Sequence, residues 1–491
     1  MTTNTLPRSA PEAQGVPSSA IQAFLASANR DIDYLHSFML VRHGHVIAEG
    51  WWSPFQRDYQ HILFSLSKSF TSSAIGFAVQ EGLLSLDDTV LSFFPEDAPA
   101  QPSDNLKAMK VRHILSMSGG QDVDTTERAV TEPDGNWVRG FLSAPVPFTP
   151  GTHFVYNSAA TYMCSAIIQK LTGQTLLDYL TPRLFAPLGI EGAWWESDPR
   201  GINVGGWGLN IKTDDIAKFG QLYLQKGVWQ GKRLLSEAWV NEATSFQVAN
   251  NTSMISANGS DWEQGYGYQF WRCRHNAYRG DGAFGQYCVV MPDQDAVIAI
   301  TSGVDDMQAV LNKIWEHLLP AMQSEPLPED RAAQDALQDA LQKLSIPMPA
   351  GAKTSAISGA VNGKTYRVEA NPAQITSMRV DFNDDVATLT FVDANGEQAL
   401  PLGLGKWVEG ELTLVAGNRF WDHRQSACAG SAAWTNDNTL SATIALTRTP
   451  FIPRLSVEFD GDAVKLDFAF DRFMGPTPEL HLSGTREVVT A

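Results

Sequence analysis

No stretch of the 491-residue chain approaches the roughly 18 consecutive apolar residues that a membrane span requires. The N-terminus, residues 1–9, has no apolar h-region behind a basic start. That absence predicts a cytoplasmic protein, unless a leader has been removed. Basic charge is scarce: 36 Lys and Arg stand against 54 Asp and Glu, for a formal net charge of −18. Such a surface repels phosphate backbones and anionic headgroups, which argues against nucleic acid and membrane as partners. Cysteine is rarer still. Cys164, Cys273, Cys288 and Cys428 are scattered with no Cys-x-x-Cys pair, which removes the usual zinc and redox motifs and predicts buried reduced thiols. Whether Cys273 and Cys288, which flank a turn, face each other across strands is left open by spacing. Internal repeats and low-complexity tracts are missing as well, and no serine has glycine at both flanking second positions, so the Gly-x-Ser-x-Gly hydrolase elbow is excluded.

What is present is enough for a packed interior: 43% of residues are hydrophobic and 18% charged, and the length predicts two or three domains. Residues 38–51 read as two strands around a turn at Gly44. From Leu66 the apolar positions Leu66, Phe70, Ala74 and Phe77 recur at intervals of three and four, with Gly82 where a C-terminal cap falls. Residues 161–171 and 214–224 repeat the helical pattern, and Thr213 is placed to cap the second. Strand signal returns at 287–291 and 296–301. The expected fold is α+β, an antiparallel sheet assembled from both ends of residues 1–323 and flanked by helices. Residues 324–353, bracketed by Pro326, Pro328, Pro347 and Pro349, read as a linker carrying a short helix with Leu337, Leu341 and Leu344 on one face. Beyond it, period-two runs at 387–392 and 440–446, and the hairpin around Asp460-Gly461, predict an all-β sandwich or barrel over 354–491.

Three segments carry chemistry. In Ser65-Leu66-Ser67-Lys68, a hydroxyl and an amine at i and i+3 share one helix face at the positive helix end. Those are the needs of an activated serine, provided that burial lowers the lysine pKa enough for it to act as base. Ser-x-x-Lys alone arises by chance about once in a chain of this composition. The small-residue-rich run from Ser67 to Gly76 distinguishes this one, since it suits close packing around a buried lysine. The second segment, Pro150 to Ser158, places Tyr156 at a loop-to-helix junction; beside a lysine its pKa of about 10 is expected to fall toward the range of proton transfer. The third, Gly280-Asp-Gly-Ala-Phe-Gly-Gln286, has glycines that allow a strand-edge amide to approach a reacting oxyanion.

In this order and spacing the three segments resemble the serine β-lactamase and penicillin-binding protein superfamily, and within it the esterase, class C β-lactamase and 6-aminohexanoate-dimer hydrolase branch. The resemblance covers roughly residues 8–320 and includes Val111 to Gly120 and Gly206-Trp-Gly-Leu209 as further matching segments. It implies Ser65 as nucleophile, Lys68 and Tyr156 as its base pair and proton relay, and the amides of Ser65 and Ala283 as the oxyanion hole. Substrate contacts are expected from Asn157, Ser158, Asp281, Gly282 and Trp207, and Trp137, Trp194, Trp195 and Trp271 are further candidates for an apolar wall. The resemblance implies no metal and no cofactor. Two departures bear on substrate. Ser158 stands where the family places Asn, and Gly280-Asp281-Gly282 lacks the cation that opens the family's third motif. A site without that cation has less to offer a carboxylate. The leading expectation is therefore a small-molecule ester or amide as substrate. The alternatives are a β-lactamase or D-aminopeptidase, or an idle scaffold whose β domain binds a ligand or partner.

Overall fold

The computed structural model describes residues 5–250, 259–394, 396–412, 426–472, 474, 477 and 479–487. The chain divides into two compact units, residues 1–50 with 60–342 and residues 51–59 with 343–491.

The first unit is built on a six-stranded sheet of β1 (Leu35–Arg42), β2 (His45–Trp51), β3 (Trp271–Arg272), β4 (Tyr278–Gly282), β5 (Gln286–Met291) and β6 (Ala296–Ser302), in the order β2-β1-β6-β5-β4-β3. The expected closure of the sheet from both ends of the unit is present: β1 pairs antiparallel with β6, Leu40 opposite Ile298. Every residue of β1, β5 and β6 is buried, which accounts for their unbroken apolar runs. The β1–β2 turn holds His43 at φ 47° and Gly44 at φ 74°, the paired positive dihedrals of a two-residue hairpin.

Helices α1 (Ser18–Asp31), α2 (Ser67–Gln80), α3 (Ser158–Thr172), α4 (Thr213–Leu224) and α5 (Arg331–Gln342) complete the framework. Helix α2 is buried from Ser67 to Ala78. Small side chains let neighbours close on all its faces: a Cβ on Gly76 would stand 2.5 Å from the Trp239 indole. Most of its buried hydroxyls find partners, Ser73 with Tyr223 at 2.7 Å and Thr71 with the Gly205 carbonyl at 2.8 Å, while Ser72 Oγ has none among the described residues. Gly82 ends the helix as expected, at φ 71°, with Leu83 N–H on Ala78 O and Gly82 N–H on Val79 O. Helix α4 lies against β5 and β6. Gly220 permits that approach, since a Cβ there would meet Val297 at 2.5 Å.

Two details differ from expectation. Thr213 is inside α4 rather than capping it; the Asp215 carboxylate accepts the Lys212 N–H at 3.2 Å, and the Thr213 hydroxyl is taken by Ser37 at 2.7 Å. The helix read as part of a linker, α5, belongs to the first unit: Leu337 and Leu341 are buried, and Gln334 donates to Glu12 at 2.8 Å. All four cysteines are buried and free, so Cys273 and Cys288 are not paired.

In the second unit, β7 (Lys364–Val368), β8 (Ser377–Asn383), β9 (Val386–Asp393), β10 (Gly396–Leu404), β11 (Val408–Glu411), β12 (Ala427–Trp434), β13 (Thr439–Leu446), β14 (Arg454–Asp460), β15 (Ala463–Ala469) and β16 (Glu479–Arg486) form one sheet. Its order is β10-β9-β8-β7-β16-β15-β14-β13-β12-β11. Parallel pairing of Gly403 with Ser431 and Leu404 with Ala432 joins β10 to β12 and closes it. The sandwich-or-barrel alternative is thus resolved as a barrel. Leu455, Val457 and Phe459 on β14 and Val464, Leu466 and Phe468 on β15 are buried while their neighbours face out, the alternation a filled barrel demands.

Candidate active site

Ser65 lies in a single 3-10 turn, Phe64–Leu66, that feeds directly into α2. The turn is strained. Phe64 is held at φ 45°, a conformation that bulky residues adopt only when their surroundings enforce it. One turn on, Lys68 is buried and its Nζ donates to Ser65 Oγ at 3.0 Å, Ser158 Oγ at 2.9 Å and the Gly206 carbonyl at 2.6 Å. These acceptors use all three donors of the ammonium. Burial lowers the Lys68 pKa to about 7, against the opposing fields of Asp124 and Asp281. An amine of that pKa is half neutral near pH 7 and can accept the Ser65 proton.

Tyr156 immediately precedes the N-cap of α3 and packs beside the same amine, its ring centroid 4.9 Å from Lys68 Nζ. Its hydroxyl behaves differently from expectation. Burial, reinforced by the charge of Asp281, raises its pKa well above the usual value, and the interaction with Ser65 only partly offsets this. Tyr156 is therefore held as a neutral phenol, able to pass a proton but unsuited to serve as phenolate. Neighbouring Asn157 is buried. Its Oδ1 caps α3 by accepting from Ala159 N at 3.1 Å and also accepts from Thr125 N and Oγ1. Ser158, the first residue of α3, holds Lys68.

The third segment reaches the Ser65 turn through an absent side chain. A Cβ on Gly282 would stand 2.0 Å from the Leu63 carbonyl, so only glycine lets the end of β4 touch the Ser65 turn. Ala283 follows in the tight turn closed by Gly285 N–H on Gly282 O at 3.1 Å. The rings of Phe64 and Phe284 meet edge to face at 5.6 Å, and Phe284 is at φ 64°. Two strained residues thus join the turn carrying Ser65 to the turn carrying Ala283. Among the described residues, the backbone hydrogen bonds between elements engage neither the Ser65 nor the Ala283 amide. Asp281, expected to contact substrate, is buried and paired with Arg279 at 2.7 Å.

Tryptophans divide into two groups. Trp271 stacks on Tyr156 at 5.4 Å and 21°. Trp207 stacks on Trp137 at 5.9 Å, its Nε1 bonded to Glu196, while its carbonyl accepts Trp195 Nε1 at 2.7 Å. Trp194 and Trp195 are buried in a short strand. Sequence reasoning missed the Gly206 carbonyl and Arg279; the matching Gly206-Trp-Gly segment pointed to the former, and nothing local pointed to the latter. Among the described residues no cluster of three His, Cys, Asp or Glu side chains is placed to hold a metal, and no helix is long and apolar enough to cross a membrane.

Comparison with known proteins bears on this geometry. Residues 34–318 match the profile of the family described as Beta-lactamase. The 6-aminohexanoate-dimer hydrolase of Paenarthrobacter ureafaciens is 26% identical over 289 residues, spanning 55% of this chain and 73% of that protein. The D-aminopeptidase of Brucella anthropi is 27% identical over 178 residues, 32% of each chain. Among solved structures, a hydrolase with promiscuous acyltransferase activity, EstCE1, superposes with a TM-score of 0.52 at 18% identity, covering 61% of this chain and 97% of that one. A penicillin-binding protein homologue from Caulobacter crescentus gives 0.50 at 18% identity over 61% and 97%. At these identities the structural likenesses establish the fold.

Proposed function

The chain belongs to the beta-lactamase family and is a serine hydrolase; on that premise we propose that it cleaves small esters or amides through an acyl-enzyme on Ser65, with Lys68 as base and Tyr156 as proton relay. The observation that carries this reading is the buried Lys68 amine, 3.0 Å from Ser65 Oγ and with a pKa lowered to about 7.

Neutral Lys68 takes the Ser65 proton as Oγ bonds to the substrate carbonyl carbon, and the carbonyl electron pair moves onto oxygen, where the Ser65 and Ala283 amides stabilise it. Collapse breaks the bond to the alcohol or amine, which leaves with a proton passed through the Tyr156 hydroxyl and replaced from the Lys68 ammonium. Water, deprotonated by the same amine, then attacks the acyl carbon and restores Ser65. An ester or a neutral amide is favoured over a carboxylate-bearing substrate because Arg279, the cation next to the third segment in sequence, is buried and paired with Asp281.

The test is intact-mass analysis after exposure to a fluorophosphonate, with native protein, Ser65→Ala and Lys68→Ala side by side. A single adduct on the native chain, absent from both variants, is expected. A native chain that takes no adduct, or a Ser65→Ala chain that still does, overturns the reading.

A further inference from the structure

Arg279 is the second residue of β4 and is wholly buried, an expensive place for a cation. Its Nε and Nη1 are bonded, while the buried Nη2 has no hydrogen-bond partner among the described residues. Nε donates to Asp281 at 2.7 Å, and Nη1 donates to the Asp261 carbonyl at 2.7 Å and to Cys273 Sγ at 3.0 Å. The guanidinium also covers two indoles, 4.2 Å from the Trp262 ring centroid and 5.5 Å from that of Trp271. Trp271 in turn stacks on Tyr156, and Tyr266 meets both rings edge-on, at 6.3 Å from Tyr156 and 4.9 Å from Trp271. Trp262 closes the cluster, edge-on to Trp271 at 5.0 Å. The Trp271 indole also hydrogen-bonds to Asp281.

The consequence is directional. The Tyr156 hydroxyl interacts with Ser65, while its ring is backed by the face of Trp271. Trp271 is fixed in turn by the Arg279–Asp281 pair, through a cation over its ring and a carboxylate at its N–H. We propose that Arg279 is a positioning residue for the Ser65 reaction, acting through Trp271 to hold the Tyr156 hydroxyl in line with Ser65 and Lys68. The proposal rests on the reading of Ser65, Lys68 and Tyr156 given above. It gives a purpose to a buried charge that faces no substrate and that a merely space-filling apolar residue would replace at lower cost.

The experiment compares native protein with Arg279→Met, Arg279→Lys, Trp271→Leu and the double variant Arg279→Met/Trp271→Leu. Each is assayed for Tm, for kcat and KM on a small neutral ester, and for fluorophosphonate labelling rate. Arg279→Met and Trp271→Leu are each expected to lower kcat by about tenfold to a hundredfold with KM within about twofold. Arg279→Lys recovers part of the loss, and the double variant is no worse than the poorer single, because both changes cut one path. A folded Arg279→Met or Trp271→Leu with native kcat overturns the proposal, as do losses that multiply in the double variant. Should Arg279→Met fail to fold, Trp271→Leu and Arg279→Lys decide by the same criteria. A native chain that neither labels nor hydrolyses ester fails the catalytic reading itself, a result distinct from variants that differ from an active parent.

Discussion

Lys68 Nζ sits 2.6 Å from the carbonyl oxygen of Gly206, nearer than to either serine hydroxyl it also serves. The Lys68 amine is therefore aimed by backbone from a segment far along the chain, and Gly206 has no room for a side chain: a Cβ would stand 2.8 Å from the Ser158 carbonyl. Gly206→Ala is expected to displace that carbonyl and lower kcat by about tenfold or more. Steady-state kinetics beside a melting curve check this, and unchanged kcat in a folded variant refutes it.

The pH profile follows from the lysine. Only the neutral amine accepts the Ser65 proton, so kcat/KM is expected to rise with pH and reach half its plateau near the Lys68 pKa of about 7. The same shift couples to stability. Folded Lys68 binds a proton less readily than an ordinary lysine of pKa 10.5, so the folded state carries fewer protons between the two values and gains stability relative to the unfolded state as pH rises across that window. Below the folded value that gain is gone. The Tm difference between native protein and Lys68→Met, followed from about pH 6 to 10, reports it; a difference that does not move in favour of the native chain contradicts the assignment.

Gly282→Ala tests the contact between β4 and the Ser65 turn. A Cβ 2.0 Å from the Leu63 carbonyl forces backbone to move, which is expected to cost about 1–3 kcal/mol of stability and to abolish labelling of Ser65. Native labelling in this variant would mean that the strand edge has no part in the oxyanion site.

Substrate charge is the fourth check. Asp124 and Asp281 both act on Lys68, and the nearby cation is sequestered. A neutral acyl ester is expected to exceed its carboxylate-bearing analogue in kcat/KM by about tenfold, with the gap narrowing as salt screens the exposed charges. Equal rates for the pair would remove electrostatics from specificity.

Much of this site was legible because it is local. Ser65 and Lys68 are one helical turn apart, and the glycines around Asp281 announce close approach. The antiparallel sheet followed from apolar runs at 38–51 and 287–301, and the barrel from alternation. What escaped reading depends on partners distant in sequence. The spacing around Asn157 does not reveal that its side chain accepts from Thr125 and Ala159. Asp281 looks free until Arg279 is found beside it, buried by tryptophans whose placement no periodicity encodes. The direction of the Tyr156 shift escapes reading for the same reason, since lysine proximity is a local inference and desolvation by distant neighbours is a tertiary one. Helix α5 was assigned to a linker because prolines mark chain direction, whereas Glu12 and Gln22 decide where it docks.

The pairing of β1 with β6 has a consequence during synthesis. Leu40 and Ile298 are neighbours in the sheet yet about 260 residues apart in the chain. Ser65, Lys68 and Tyr156 all leave the ribosome well before the strands that carry Ala283 and seal the sheet. A nascent chain stopped short of residue 296 holds Ser65, Lys68 and Tyr156 without the strand that seals the sheet. Assembly of the hydrolase therefore waits on a late, long-range closure, which favours slow folding and a period of exposure to chaperones.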